Sequence, residues 1–373
     1  MPWPNLEERR HAEQSALLDA GAEIEVGSAA DAPLPIDALA AVRGDEPYVV
    51  ESFHGGLTAT VHRLRLSGRD WALKLARRES RVLNVDGRLA FVNELQRRAD
   101  FLRLKAQPGG KERFAAITDT TYASLRRGLM ISPWLEGGPV REWDERNLAQ
   151  VIGALLACAE AGLFDWDPSP GNLVDDGRSL RLFDFGYLYP FDPRHHFNSA
   201  GTGLDAPQFH PAERFETRTY FAHLLALERD AGSVAALAAY RVEKSIALEA
   251  YRRHRAALAR LGASAGVLAR LDTLTGRWQA ALAGALDGLY LAEGWRSHSL
   301  DLEDDLHGRS CTPTTLARAD WLIDKVAHAH DALVAVDALQ GADRACSAVE
   351  LLARYRGRRA QAEAWLLPKR PAA

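Results

Sequence analysis

The sequence predicts a bilobal α+β fold in which a small antiparallel sheet with one helix precedes a larger, mostly helical lobe. Residues 46–135 contain short runs of alternating apolar and polar residues, rich in β-branched and aromatic side chains, as is typical of strands. From about residue 212 to 366, apolar residues recur at the spacing of amphipathic helices. The crease between two such lobes is the expected place for a ligand.

The predicted small lobe begins with a three-stranded meander. Its strand segments are YVVESF, TATVHRLRL and DWALKLA, and the turn signals HGGL and SGRD separate them. A helix is predicted near residues 87–105, where Leu89, Val92 and Leu95 share one face. Two more strands are predicted, in RFAAITDT and YASLRRGLMIS.

The rest of the chain is divided by composition. Residues 1–45 are predicted to be an N-terminal extension and linker, because a polar helix precedes an Ala/Pro/Asp-rich stretch. Residues 136–300 form the predicted larger lobe, and residues 301–373 form a C-terminal helical extension. A loop near residues 296–314 is predicted to interrupt the helices.

Charge and composition exclude several classes of protein. The 373 residues carry a formal net charge of −4, so no basic excess indicates a nucleic-acid partner. Cys158, Cys311 and Cys346 are too few and too scattered for a disulfide framework. The N-terminal stretch lacks the apolar core of a signal peptide, and no run of 18 apolar residues occurs. We therefore expect a cytoplasmic protein without a membrane span; its oligomeric state is unknown from the sequence.

Oxygen-bearing side chains cluster in FDWDPSPGNLVDDGRSLRLFDFG, residues 164–186, where two short strands joined by a turn are predicted. Asp167 and Asn172 stand five apart across a Pro/Gly-rich loop, and Asp184 follows twelve residues after Asn172. Phosphoryl transfer requires one carboxylate to orient the attacking hydroxyl, with an amide oxygen and a second carboxylate to hold magnesium. The alternative is that these residues only form turns and caps.

This stretch resembles the catalytic loop and DFG segment of the protein-kinase-like superfamily. The resemblance makes Asp167 the catalytic aspartate and makes Asn172 and Asp184 the metal ligands. The Pro-Gly-Asn at 170–172 is more similar to the small-molecule branch (aminoglycoside and choline kinases) or to an atypical bacterial branch than to typical protein kinases.

The upstream half of the chain supports this resemblance. Lysine occurs only six times, so Lys74 at the centre of a predicted strand is unusual. It resembles the lysine that pairs with the α/β-phosphates. Glu94 on the following helix resembles the glutamate that holds this lysine, although Glu79 or Glu51 remains an alternative for that role.

Two features depart from the pattern of the superfamily. Asp165 stands where a histidine is usual, and it either binds metal or accepts a backbone hydrogen bond. Gly55 and Gly56 do not complete a G-x-G-x-x-G loop, but adjacent glycines can still direct backbone N–H groups at phosphate oxygens, if they are not a plain hairpin turn.

The resemblance also locates the nucleotide base and leaves some residues without a role. The base is expected against the segment 130–136, where Ser132 is a candidate contact and Trp134 is either a contact or a core residue. His195 and His196 are neighbours and would point to opposite sides of a strand, so a zinc site is not expected there.

The resemblance implies ATP- and Mg²⁺-dependent phosphorylation of a hydroxyl on a small molecule or a protein. The rival hypotheses are a pseudokinase that binds nucleotide or a partner without turnover, an AMP-transferring atypical kinase, and a helical interaction protein. The acidic residues from Asp301 to Asp305 would attract a cationic acceptor or simply form a solvated loop.

Overall fold

The computed structural model describes residues 6–56, 58–77, 84–200 and 209–366. The chain forms two compact units, one of Met1–Pro211 with Ala257–Val267 and one of Ala212–Ala256 with Leu268–Ala373. The first unit contains the sheets and the second is helical, which confirms the predicted α+β class. The domain limits at residues 45, 135 and 300 stay predictions.

The main sheet of the first unit has six strands, all antiparallel, in the order β1-β5-β6-β4-β3-β2. Two small antiparallel pairs, β7 with β10 and β8 with β9, accompany it. The strands are β1 (Glu25–Gly27), β2 (Val49–Phe53), β3 (Ala59–Leu66), β4 (Arg69–Ala76), β5 (Tyr122–Ser124), β6 (Leu129–Pro133), β7 (Leu163–Asp165), β8 (Leu173–Asp175), β9 (Leu180–Leu182) and β10 (Leu188–Pro190). The predicted meander is confirmed as β2, β3 and β4.

The predicted strand in RFAAITDT is wrong. Arg113 ends a short helix, and Ile117 makes only an isolated bridge to Leu182. The backbone turns locally here, because the N–H of Phe114 donates to Gly110 and that of Ile117 donates to Phe114. The buried residues Phe114 and Ile117 therefore follow the three-residue spacing of turns and not the two-residue spacing of a strand.

The helices of the first unit support the sheet. They are α1 (Leu6–Asp19), α2 (Ile36–Ala40), α3 (Val85–Lys105), α4 (Gly110–Arg113) and α5 (Glu145–Glu160). The predicted helix at 87–105 is confirmed as α3, which starts at Val85 because the Asn84 side chain accepts a hydrogen bond from the Gly87 N–H at 2.7 Å.

The two faces of the main sheet have different partners. On one face Leu64, Leu73 and Ile131 form a core with Leu39 and other residues of the segment 32–49. On the opposite face Val26, Ala123 and Met130 pack against Leu95 of α3. The stretch predicted to be an extension therefore supplies an edge strand and the cover of one face. Because neighbouring residues of a strand alternate between faces, Lys74 lies on the α3 side.

The second unit is built from long helices. The remaining helices of the chain are α6 (Pro211–Phe215), α7 (Phe221–Ala231), α8 (Ser233–Arg260), α9 (Ala265–Ala280), α10 (Leu286–Gly308), α11 (Pro313–Ala335) and α12 (Ala348–Ala364), with π-helical turns at Glu216–Tyr220 and Ala281–Ala285. Trp295, Leu322 and Tyr355 lie in the core between α10, α11 and α12.

The predicted loop at 296–314 is wrong for most of its length. Helix α10 continues to Gly308, and only residues 309–312 separate it from α11. Of the acidic side chains, Asp301 is buried and pairs with Arg218 and Arg318, whereas Glu303 and Asp304 remain about half exposed. Among the described residues no helix has the length and apolar character to cross a membrane.

Candidate functional site

The centre of the site is Lys74, which the sheet presents towards α3. Lys74 pairs in register with Val61 on β3 and Met130 on β6, so its backbone is fixed on both sides. Its Nζ lies 2.5 Å from Glu94 Oε2 and 2.9 Å from Asp184 Oδ2. The structure thus brings together a strand, a helix and a loop residue that are separated by up to 110 positions.

The charges of these groups stabilise one another. Burial alone would lower the pKa of Lys74, but the negative charges of Asp184 and Glu94 outweigh it and the pKa lies above its ordinary value. Burial would raise the pKa of Asp184, but the charge and hydrogen bond of Lys74 outweigh that effect and the pKa is lowered. Lys74 is therefore held as an ammonium beside an ionised Asp184.

The site is open on one side. The Glu94 side chain is fully enclosed, with 1% exposed, whereas 33% of the Asp184 side chain remains accessible. Of the alternatives for the Glu94 role, Glu51 is exposed on β2, two strands away from β4, and Glu79 lies outside the described residues. Glu94 is thus the glutamate that contacts Lys74.

Asn172 and Asp167 lie at one end of the β8–β9 hairpin. Leu173 pairs with Leu182, so the residues just outside this pair, Asn172 and Phe183, are adjacent, and Asp184 follows directly. The Asn172 Nδ2 donates to the backbone oxygen of Asp167 at 3.0 Å and approaches its Oδ2 at 3.3 Å. The amide oxygen of Asn172 therefore points away from this contact.

Asp165 supports the loop that carries Asp167. Its Oδ1 accepts a hydrogen bond from the backbone N–H of Asp167 at 2.9 Å. Of the two roles that the sequence left open for this residue, the described contact corresponds to acceptance of a backbone hydrogen bond. The next residue, Trp166, donates its backbone N–H to Tyr187, which joins the loop to the segment after Asp184.

The sequence analysis missed Arg98, which holds Glu94. The Arg98 Nε and Nη2 lie 3.0 and 2.7 Å from Glu94 Oε1. The same guanidinium donates to the backbone oxygen of Phe183 at 2.9 Å and to Thr120 Oγ1 at 2.9 Å. The spacing of four from Glu94 on a helix is a signal that could have found it.

Asn93 is the second residue that the sequence analysis missed. Its Nδ2 lies 3.1, 3.0 and 3.0 Å from the backbone oxygens of Phe185, Gly186 and Leu188. Phe185 is buried and packs on Phe101, with ring centroids 5.0 Å apart. Asn93 and Phe185 together anchor the segment that carries Asp184.

The segment that contains Gly55 and Gly56 is held by the side chain of Arg77. Arg77, just after β4, donates to the backbone oxygens of His54 at 2.7 Å and of Gly56 at 3.0 Å. A Cβ at position 56 would lie 2.5 Å from the backbone oxygen of Ala59, so glycine is required there by space. The role of Gly55 and Gly56 in phosphate binding stays a prediction.

The residues predicted to contact the base lie at the end of β6. Ser132 is buried, and its Oγ accepts a hydrogen bond from Arg98 Nη1 at 3.3 Å. The Trp134 ring stacks on Phe53, with centroids 6.0 Å apart, and the guanidinium of Arg63 lies 4.7 Å from its centroid. Both residues contact parts of the small lobe, and their contact with a nucleotide stays a prediction.

His195 and His196 do not share a ligand position. The His195 Nδ1 lies 2.9 Å from the Asp192 carboxylate. His196 is buried, and its ring centroid lies 6.4 Å from that of His195. Within the described ranges, the set of potential metal ligands that lies close together is Glu7, His11 and Asp86 on α1 and α3, and it includes neither histidine.

Comparisons with known proteins gave structural likeness alone. No family model and no curated protein matches the sequence. Two solved structures of WbdD, one of which is described as a bifunctional kinase-methyltransferase, match with 18% identity and TM-scores of 0.31 and 0.33. The alignments cover 52% and 57% of this chain and 44% and 50% of the WbdD chains, so this chain spans about half their length. The functional argument therefore rests on the geometry of the site.

Proposed function

We propose that the protein is an ATP- and Mg²⁺-dependent phosphotransferase that acts on a hydroxyl group of a small molecule or of a protein. The observation that carries the proposal is the position of Lys74 between the enclosed Glu94 and the partly exposed Asp184. A buried ammonium with an accessible side is suited to bind phosphate oxygens, and the neighbouring carboxylate is suited to bind a cation.

The residues present fit a nucleotide–magnesium complex. Asn172 and Asp184 supply the hard oxygen ligands that Mg²⁺ prefers, and they lie at adjacent ends of one hairpin. When bound, Mg²⁺ would neutralise charge on the phosphates. Lys74, fixed by Glu94, would hold the α/β-phosphates, and Asp167 would accept a hydrogen bond from the acceptor hydroxyl and orient it.

Most of the rate enhancement would come from positioning and charge stabilisation. Asp165 supports this view, because its hydrogen bond fixes the backbone of Asp167 without the usual histidine. A pseudokinase is the rival that this departure favours, and AMP transfer is the second. Asp301 itself does not support a cationic acceptor, because it is buried and paired within the second unit.

The test follows label from ATP in the presence of Mg²⁺ and a panel of hydroxyl acceptors. We expect label from the γ-phosphate in the product and none from the α-phosphate, and we expect Asp184→Asn to abolish transfer. Asp176→Asn is the control, because Asp176 lies in the turn of the same hairpin and only accepts backbone hydrogen bonds. Transfer of α-label would establish AMP transfer, and full activity of Asp184→Asn would refute the assignment.

A further inference from the structure

Three backbone carbonyls of the segment after Asp184 share one side-chain donor. The carbonyl oxygens of Phe185, Gly186 and Leu188 converge on the Nδ2 of Asn93, at 3.0 to 3.1 Å. Asn93 is fully buried. Carbonyl dipoles that converge in a buried space repel one another unless a donor lies between them, so Asn93 makes this backbone conformation possible.

Helix α1 fixes the orientation of that donor. The Gln14 Nε2 donates to Asn93 Oδ1 at 3.0 Å and to Gln96 Oε1 at 2.8 Å. Gln14 is the buried residue of α1, a helix whose other described side chains are at least partly exposed. A buried amide on an otherwise polar helix indicates a specific contact, because burial of an amide without partners is unfavourable.

A second junction repeats this arrangement two turns earlier on α3. Asp86 accepts hydrogen bonds from Arg10 at 2.8 Å, His11 at 2.9 Å and the Tyr189 hydroxyl at 2.9 Å. The Arg10 guanidinium also lies 3.5 Å from the centre of the Tyr189 ring. Tyr189 is on β10, which follows the Asp184 segment, so the same three elements meet twice.

We propose that α1 is an in-chain clamp that positions the segment carrying Asp184, with Gln14 and Asn93 as positioning residues. The consequence for catalysis rests on the proposed function, because Asp184 is there the metal ligand. The clamp tightens residues 185–189 against α3, and α3 also carries Glu94. Helix α3 thus positions both carboxylates that contact Lys74, because it carries Glu94 and contacts the segment that follows Asp184.

Hydrogen exchange of the full chain without nucleotide tests the clamp directly. The reporter is the Leu188 N–H, which donates to Phe185 at 3.2 Å. In Gln14→Glu a carboxylate faces the oxygens of Asn93 and Gln96, and we expect exchange at this amide to be about tenfold faster. Asn93→Leu is expected to act in the same direction. Glu13→Gln is the matched control, since Glu13 is exposed on the same helix.

The exchange results test the proposed clamp even if one variant does not fold. Unchanged exchange at Leu188 in Gln14→Glu would overturn the proposal, and this variant keeps the size of the native side chain. Faster exchange at Leu188 in Glu13→Gln as well would also overturn it, because the effect would then come from α1 as a whole.

Enzyme kinetics tests the positioning role separately. In Gln14→Glu we expect the Mg²⁺ concentration for half-maximal transfer to rise about fivefold, with the KM for ATP at saturating Mg²⁺ changed less than about twofold. A loss of folded protein would lower kcat and leave the Mg²⁺ dependence unchanged. If the unsubstituted protein shows no transfer, the proposed function fails while the exchange result stands. Transfer with an unmoved Mg²⁺ dependence overturns the positioning role alone.

Discussion

Two lysines of this chain are each surrounded by carboxylates, Lys74 in the first unit and Lys244 in the second. Lys244 Nζ lies 2.6 Å from Glu216, 2.6 Å from Glu293 and 3.6 Å from Glu243, and its side chain is completely buried. The rings of Tyr240 and Trp278 lie 5.1 and 4.7 Å from the same nitrogen. Lys244 is therefore enclosed by charge and by aromatic rings.

Lys74 differs in accessibility and in the number of carboxylates. It has two carboxylate partners, and one of them, Asp184, is a third exposed. A ligand could therefore replace or join the contacts of Lys74 without unfolding the unit, whereas the contacts of Lys244 are closed. The two lysines thus differ in accessibility, and Lys74, the one with an accessible partner, is the lysine that we propose as part of a binding site.

The largest expected effect on stability is that of Lys244→Met. This change leaves three carboxylates buried without their cation, and we expect the free energy of unfolding to fall by about 3–5 kcal/mol. Calorimetric unfolding of the variant measures it. Lys74→Met is the matched comparison and should cost less, because Asp184 can be solvated. Equal losses in the two variants would contradict the distinction between a closed and an open site.

The expected losses of activity follow the opposite order, with the larger loss at Lys74. Lys74→Met should reduce kcat/KM for ATP-dependent transfer by about 10²–10³, because a donor to the phosphates is removed. Steady-state transfer of γ-label measures the change. Lys325→Met, at a partly buried position of α11 in the second unit where Lys325 pairs with Glu228, is the control and should keep full activity. A loss below about twofold in Lys74→Met would refute the phosphate-binding role.

The pH dependence of stability should come from the second unit. Burial first, and then the charge of Glu293, raise the pKa of Glu243 to about 7, against the ordinary 4.5, while Lys244 acts in the opposite direction. Burial likewise raises the pKa of Glu216. A raised carboxyl pKa means that the folded state binds the proton more tightly. This contribution is complete below pH 4.5 and is lost as the pH rises through about 7.

Glu243→Gln tests the direction of this change of stability with pH. The neutral amide cannot ionise, so the variant should gain about 1–3 kcal/mol of stability over the unsubstituted protein as the pH rises from about 5 to 8. Denaturant unfolding at several pH values measures the difference. Glu249→Gln is the control, because Glu249 is exposed on the same helix. Parallel pH curves for Glu243→Gln and the unsubstituted protein would contradict the account.

The smallest expected effect is that of Arg98→Lys. Lysine keeps the charge but cannot make both hydrogen bonds to Glu94 and the bond to Phe183. We expect the KM for ATP to rise about fivefold. An unchanged KM would show that Glu94 holds Lys74 without the help of Arg98.

The sequence was a good guide where local pattern decides structure. The meander around Lys74 and the helix with Glu94 follow from alternation and helical periodicity, and these predictions are confirmed. The contact of Lys74 with Asp184 spans 110 positions, and it was predicted only through the resemblance to the kinase-like motif.

Other features could not be predicted, because they depend on tertiary partners. The acidic residues after 300 have the composition of a loop. In the structure they lie in a helix, where Asp301 pairs with Arg218 and Arg318. Gln14 lies on a polar helix, so the sequence alone would place it at the surface, but in the structure it is buried against α3. The sequence around Lys244 shows its neighbour Glu243 but not the distant Glu216 and Glu293 that enclose it as well. In each case the sequence shows the polar group, and only the fold shows its partner.

The central claim is that Lys74 and Asp184 form an open site for a triphosphate with its metal. Calorimetric titration with ATP tests it most directly, in the presence and absence of Mg²⁺. The account predicts one saturable site whose affinity Mg²⁺ increases about tenfold in the unsubstituted protein and does not increase in Asp184→Asn. An absence of binding, or an equal Mg²⁺ effect in both proteins, would contradict it.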